Sequence, residues 1–515
     1  MKGRGALVLT AAALAAALGL FLQRERVIAG PVGLSGFPLD DSWIHFQFAR
    51  NVAEGHGFAY NPGVPVSGST APLWTLLLAG LFKAGGVYPP WAKAAGVGAA
   101  LGAAWLARRL AIAWTGDTAL GLTAALVTAW SAPMVWGALS GMEVTLAALL
   151  VTAALVAHAA GRAPVSAALL GLAALARPES VLLIPLLWLA GPLTAKRSAT
   201  MWGLPAAVLL PWVAFNVRTT GTPLPAAAAA KIEGGLVGLL AGAREPAATT
   251  FLSRPWQFER EWIAWLASVN VLLPVLLLPG FWVLWRRGRR AWALPASILL
   301  LHPLGMALLA PYRGPAFQEG RYSIQLLPLA IVVAVSAFVP LVSTARFRPL
   351  WGQVACALLL LGSLASLGAG ATRYAWAVQN IDAMQVGLGR WVDAHTPAGA
   401  RLALNDIGAI AFLGRREVVD VMGLVTPAII PYRRDGEAGV LRYLERACPD
   451  YLIIFPAWFP GLSTRADRFT PIHRIRLEHN TVAGADEMVV YETAWNRWRP
   501  GHQACPRAGQ AGYTS

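Results

Sequence analysis

Apolar runs close to the length of a bilayer crossing recur from residue 5 to residue 370, and short basic clusters separate them. A segment of about 20 apolar residues crosses a membrane as a helix, because lipid offers the backbone no hydrogen-bond partners. The runs lie near 5–22, 91–110, 118–138, 143–160, 164–176, 178–193, 200–217, 264–285, 291–310, 322–343 and 350–370. The chain therefore reads as an α-helical polytopic membrane protein of about 11 spans, residues 1–371, followed by a polar tail, residues 372–515. Only 13% of its residues are charged, against about 25% in soluble domains.

The net charge of +16 does not point to nucleic acid. The first 372 residues hold 26 Lys/Arg against 12 Asp/Glu, and the tail is nearly neutral with 16 against 14. Placing the basic clusters, from Lys2/Arg4 to Arg346/Arg348, in the cytoplasm puts every second loop there. The N-terminus is then cytoplasmic and the tail extracytoplasmic, in a plasma (inner) membrane. The run at 72–86 is too short for this parity and contains Lys83; it reads as a juxtamembrane or re-entrant helix on the outer side. Lys2 and Arg4 ahead of residues 5–22 resemble a secretory leader, but no close cleavage site follows, so this is taken as the first span. Of the 12 acids before residue 372, only Asp117 falls on the cytoplasmic side, leaving Glu233 and ten others facing outward.

The tail has short β-like runs at 401–404, 418–421, 451–455 and 488–491 and helical spacing at 378–394 and 437–447, so it reads as α/β. Cys448 and Cys505 lie in it; a disulfide and two free thiols are both open.

The outer loop 23–90 is the densest in chemistry. Asp40 and Asp41 stand at the edge of the bilayer, where charge is costly and acids are functional candidates. Residues 41–51 alternate apolar and polar positions as an interfacial amphipathic helix does. Glu54-Gly55-His56-Gly57 and Asn61-Pro62-Gly63 make turns, and Ser67-Gly68-Ser69 leads back to the membrane. Each feature has a plainer reading: Asp40, Asp41 or Glu143 as a helix cap, His45 as a helix-face residue, His56 as a turn residue, outer cations as lipid anchors.

This loop resembles the first outer loop of GT-C membrane glycosyltransferases. Asp40-Asp41, the run to Ala49-Arg50-Asn51, Glu54-Gly55-His56-Gly57 and Asn61-Pro62-Gly63 carry the likeness. It is closest to mycobacterial arabinofuranosyltransferases that use a decaprenyl-phosphate donor. Ser140-Gly141-Met142-Glu143, Arg177-Pro178-Glu179, Gly221-Thr222-Pro223-Leu224-Pro225 with Lys231, Gly320-Arg321-Tyr322, Asn405-Asp406-Ile407-Gly408 and Asp420-Val421-Met422-Gly423-Leu424 agree with it. The chain departs from that pattern at Ala226–Ala230 and at Ser67-Gly68-Ser69.

The resemblance implies an inverting transfer of a sugar from a polyprenyl-phosphate donor to an envelope glycan, lipid or protein on the outer face. Asp40 is the expected base, with Asp41 and Glu143 completing an acidic wall. Lys231, Arg321, Arg218 and Arg313 are expected to meet the donor phosphate. His56, Trp43 and Trp74 are the expected acceptor or sugar contacts. A divalent cation, Mg or Mn, on Asp40 and Asp41 is left open. The alternative is a lipid-linked-sugar flippase or secondary transporter, but no internal repeat is visible and the acids gather at one face.

Overall fold

A computed structural model describes residues 3–231, 234–240, 245–309, 313–343, 348–503 and 505. Lys2, Glu233 and Arg346 of the charge pattern lie outside the described residues. Helices dominate up to residue 395, and a five-stranded sheet follows.

Among the described residues, five helices are long and apolar enough to cross a membrane, or seven if each of two bent pairs is one span. The single helices are Gly3–Ile28, Trp91–Thr115, Ala195–Thr220, Trp292–Leu309 and Leu350–His395. The expected spans near 143–160, 164–176 and 178–193 are shorter apolar helices: Val144–Ala159, Ala163–Ala176 and, after a 3-10 turn at Pro178–Leu182, Leu183–Leu189. The expected span 322–343 is divided in turn, into Ile324–Leu326, Leu327–Ser336 and Val339–Ser343. The span expected at 264–285 is not one rod. Its two halves meet at 107° around Asn270, whose backbone is extended and whose buried carboxamide bonds the Leu272 amide and the Leu359 carbonyl.

Small residues let the central helices approach closely. Ala99, Ala100, Ala103, Ala104 and Ala107 of Trp91–Thr115 are buried, and a Cβ on Gly96 would lie 2.4 Å from the Ala138 carbonyl oxygen. The first helix runs along Arg348–Ile381. That last helix continues through a π-helical turn, Asp382–Val386, to His395, and so joins the bundle to the sheet domain without a break at residue 372.

The sheet has strands β1 (Arg401–Leu404), β2 (Glu417–Asp420), β3 (Tyr451–Ile454), β4 (Phe469–Arg476) and β5 (Glu487–Thr493), in the order β2-β1-β3-β5-β4. β1 pairs parallel with β2 and β3, and β5 runs antiparallel to β3 and β4. Four of these strands coincide with the runs read from the sequence. β4 was not legible: it is an edge strand with Pro471, a bulge and exposed Arg474, the features that protect an edge from further pairing. A disulfide joins Cys448 to Cys505.

The helix Asp41–Ala53 corrects an expectation. It is no interfacial helix; every residue from Ser42 to Asn51 is buried between the bundle and the sheet domain. Its polar side chains are used there. Gln47 donates to the Tyr60 carbonyl, Asn51 to the Ala59 and Tyr60 carbonyls, and Arg50 to the Phe412 carbonyl 362 residues away. The alternation that suggested a wet face instead marks contacts to two protein partners.

Candidate active site

The two adjacent acids face different partners. Asp40 occupies the N-cap position of its helix but makes no cap bond. Its Oδ2 accepts the Gly408 amide and its Oδ1 the Ala409 amide, both at 2.7 Å. Gly408 is required for this approach: a Cβ there would lie 2.1 Å from the Asp40 backbone oxygen and 2.6 Å from its carboxyl carbon. Asp41 Oδ2 accepts from Arg321 Nη1 at 2.8 Å. The same Nη1 donates to Gln318 Oε1 at 2.6 Å, while Arg321 Nε is buried with no partner among the described residues.

Arg321 follows a strained turn. Gln318 and Glu319 hold left-handed backbone angles, φ 48° and 60°. The turn is fastened from two sides: Arg373 donates twice to the Glu319 carboxylate, at 2.5 and 2.8 Å, and Trp265 Nε1 donates to its carbonyl at 3.2 Å.

Asp40, Asp41 and Arg321 line a cavity of about 540 Å³ between the bundle and the sheet domain. Lys231, at the end of the short helix Ala226–Lys231, lines it too, as do Arg313 and Arg433. That helix is anchored to the first outer loop, where the Ser67 hydroxyl accepts the Ala226 amide at 3.1 Å. The sheet domain contributes Asn405, Asp406 and Trp458, and the π-helical turn contributes Gln385. Carboxylates and cations thus share one partly open cavity.

Their environments separate the acids electrostatically. Burial pushes the Asp40 carboxyl up to about 6, against the two amides that favour its ionised form. Burial also raises Asp41, but Arg321 and Lys231 outweigh it and hold that carboxyl well below the usual carboxylate range. Asp406 is raised well above that range, by burial first and then by Asp40.

Of the residues singled out from sequence, Asp40, Asp41, Lys231, Arg313 and Arg321 meet in this cavity. The others stand elsewhere. Glu143 is buried in a separate network, with Oε1 bound by Arg177 Nη1 at 2.5 Å and Oε2 3.4 Å from His45 Nε2. It reaches the cavity only through neighbours: Arg177 and Arg321 both lie over the Tyr322 ring, at 4.8 and 5.2 Å. Arg218 is exposed on the helix Ala195–Thr220. His56 sits on an exposed turn, 3.8 Å from Glu54. Trp74 is fully buried, donating to the Gly141 carbonyl, and Trp43 packs against Phe37, Phe46 and Phe412. Sequence reading did not assign Gln385, Arg433 or Trp458 to the site, and it quoted Asn405 and Asp406 only as a motif.

Among the described residues, no group of three or more His, Cys, Asp or Glu side chains is placed to hold a metal ion. Of the two acids for which a cation was left open, Asp40 is engaged by backbone amides and Asp41 by Arg321.

Residues 373–503 match a family model described as Domain of unknown function (DUF8728). No curated protein sequence matches the chain. Solved structures share its fold. ArnT from Cupriavidus metallidurans in the apo state is 12% identical with a TM-score of 0.60, over 95% of this chain and 98% of that one. The same protein bound to undecaprenyl phosphate gives a TM-score of 0.58. The Archaeoglobus fulgidus oligosaccharyltransferase in the apo form is 12% identical at 0.57, over 88% of this chain and 69% of that one. The chain shares the fold of these solved structures. AftD, the mycobacterial arabinofuranosyltransferase, is matched at a TM-score of 0.44, and no subgroup is drawn from it.

Proposed function

We propose that the chain is an inverting glycosyltransferase that moves a sugar from a polyprenyl phosphate to a hydroxyl of an envelope acceptor. One observation carries this reading: Asp40, with a carboxyl poised near neutrality, shares a 540 Å³ cavity with Lys231, Arg313 and Arg321. The solved neighbour with undecaprenyl phosphate bound supports a lipid-linked donor.

In the step, Asp40 takes the proton of the acceptor hydroxyl as its oxygen bonds to the anomeric carbon. The bond from that carbon to the phosphate oxygen breaks, and polyprenyl phosphate leaves with the electron pair. Lys231 and Arg321 meet the charge that gathers on the phosphate, Arg321 through its Nε, which has no partner among the described residues. Asp41 orients Arg321 and, held ionised by it, is the poorer base. Glu143 acts at a distance, keeping Arg177 against Tyr322. The pattern of basic loops supports an extracytoplasmic site, with residues 1–371 as the membrane module and 372–515 as the domain that closes the cavity.

The test is turnover by the full-length protein in liposomes with an undecaprenyl-phosphate-linked radiolabelled sugar and envelope extract. Transfer of label with release of undecaprenyl phosphate, lost in Asp40→Asn, is the expected result. Movement of intact donor between leaflets without bond cleavage would instead identify a flippase.

A further inference from the structure

Trp458 presents an exposed aromatic ring to the cavity, and the ring is fixed. It is 44% exposed and lines the same cavity as Asp40. Its Nε1 donates to the Gly484 carbonyl at 2.9 Å, and Phe455 packs beside it with ring centroids 5.3 Å apart. A Cβ on Gly484 would lie 2.5 Å from the indole, so the glycine admits the ring at this position. Gly484 belongs to the loop joining β4 to β5, and that loop is tied to the bundle. Asn380, fully buried in Arg348–Ile381, accepts from the Thr481 amide at 2.6 Å and donates to the His479 carbonyl at 2.8 Å. The indole N–H is already used, so what Trp458 offers the cavity is an apolar π-face held in one orientation.

A second observation points to a hydroxylated ligand beside that face. Gln385 is fully buried, lines the cavity, and donates its Nε2 to Asp406 Oδ2 at 2.9 Å. Its Oε1 has no partner among the described residues. A buried carbonyl without a donor is costly, and a ligand hydroxyl offsets that cost by donating to it. Gln385 stands on the π-helical turn, a distortion frequent at functional sites.

An aromatic face with convergent hydrogen-bonding groups suits a sugar ring, whose C–H face is apolar and weakly positive and whose rim carries hydroxyls. A lipid chain would use the ring but leave the Gln385 carbonyl unserved. Resting on the glycosyltransferase reading, we propose that the sheet-domain wall is a saccharide subsite. The acceptor is then a glycan whose terminal ring lies on Trp458 with its hydroxyls toward Gln385, Asn405 and Asp406. Because Trp458 and Gln385 are preorganised, little ordering is needed on binding. The cations on the other wall are left to the donor phosphate.

Calorimetric titration of the full-length protein with maltotriose, mannotriose and galactotriose tests this without any donor. At least one trisaccharide is expected to bind. Trp458→Ala should weaken it roughly tenfold, whereas Trp458→Phe, which keeps an aromatic face and serves as the folding control, should retain most of the affinity. Three results would overturn the subsite: no trisaccharide binding to the wild type, equal affinity in Trp458→Ala, or a Trp458-dependent fluorescence quench by brominated phosphatidylcholine in nanodiscs, which would assign the ring to lipid. The glycosyltransferase reading fails separately. A wild type that binds a trisaccharide yet never consumes lipid-linked sugar sinks transfer alone. Donor consumption with an unshifted acceptor KM in Trp458→Ala sinks the subsite alone.

Discussion

Gly408→Ala separates the position of Asp40 from its chemistry. The added methyl would lie 2.1 Å from the Asp40 backbone oxygen, against 3.4–4 Å for ordinary contact. A backbone oxygen has no rotamer to escape into, so the two segments must part by about 1 Å, and a misplacement of that size costs on the order of 10²-fold in rate. The carboxylate also loses one or both 2.7 Å amide bonds. Each such charged hydrogen bond is worth about 1.5–3 kcal/mol, so losing one shifts local docking of residues 405–414 by roughly 10–150-fold. Those amides favour the ionised carboxyl, so their loss also moves the acid limb of the activity profile to higher pH. Sugar transfer by purified protein, with hydrogen exchange over residues 405–414, reads both effects. The comparison matters because Asp40→Asn is not silent structurally: an amide presents one acceptor and one donor to two N–H groups, so it breaks half of the clamp as well as removing the base. Wild-type turnover, pH profile and exchange in Gly408→Ala would refute the reasoning.

Two further outcomes are expected. Transfer should rise with pH through about 6 and fall below it, because a base works only when deprotonated and burial holds Asp40 near that value; a pH profile of kcat/KM checks this, and a flat profile from pH 5 to 7 would count against Asp40. Arg321→Lys keeps the charge but loses both the Nη1 donor that serves Asp41 and Gln318 and the Nε offered to the phosphate, so donor KM should rise roughly 10–100-fold with folding retained; an unchanged donor KM would remove Arg321 from phosphate binding.

Asp40 and Asp41 were legible in sequence because charge at a membrane edge is costly and therefore informative. Lys231, Arg313 and Arg321 were singled out as cations for a donor phosphate, and all five residues line the cavity. Trp43 and Trp74 do not line it. Both flank the acidic motif in the chain, but packing under the sheet domain buries them, and no local pattern shows which of 22 tryptophans keeps an exposed face. Trp458 does so because a carbonyl from the β4–β5 loop holds it. Glu143 looked like a third wall of the site because an acid there has no cheap solvent; it is satisfied by Arg177 and His45 instead.

Hydropathy and charge by themselves determined a helical membrane module followed by an α/β domain, since apolar length and strand alternation are local properties of the chain. They did not determine where helices break, as at Asn270, nor that Ser42 to Asn51 are all buried in the helix Asp41–Ala53. Tertiary structure alone decided that Gly408 and Ala409 hold Asp40 from 368 and 369 residues away. A hydrogen bond between such distant residues leaves no periodicity or composition at either end, so only the folded chain reveals which carboxylate is clamped and which is paired.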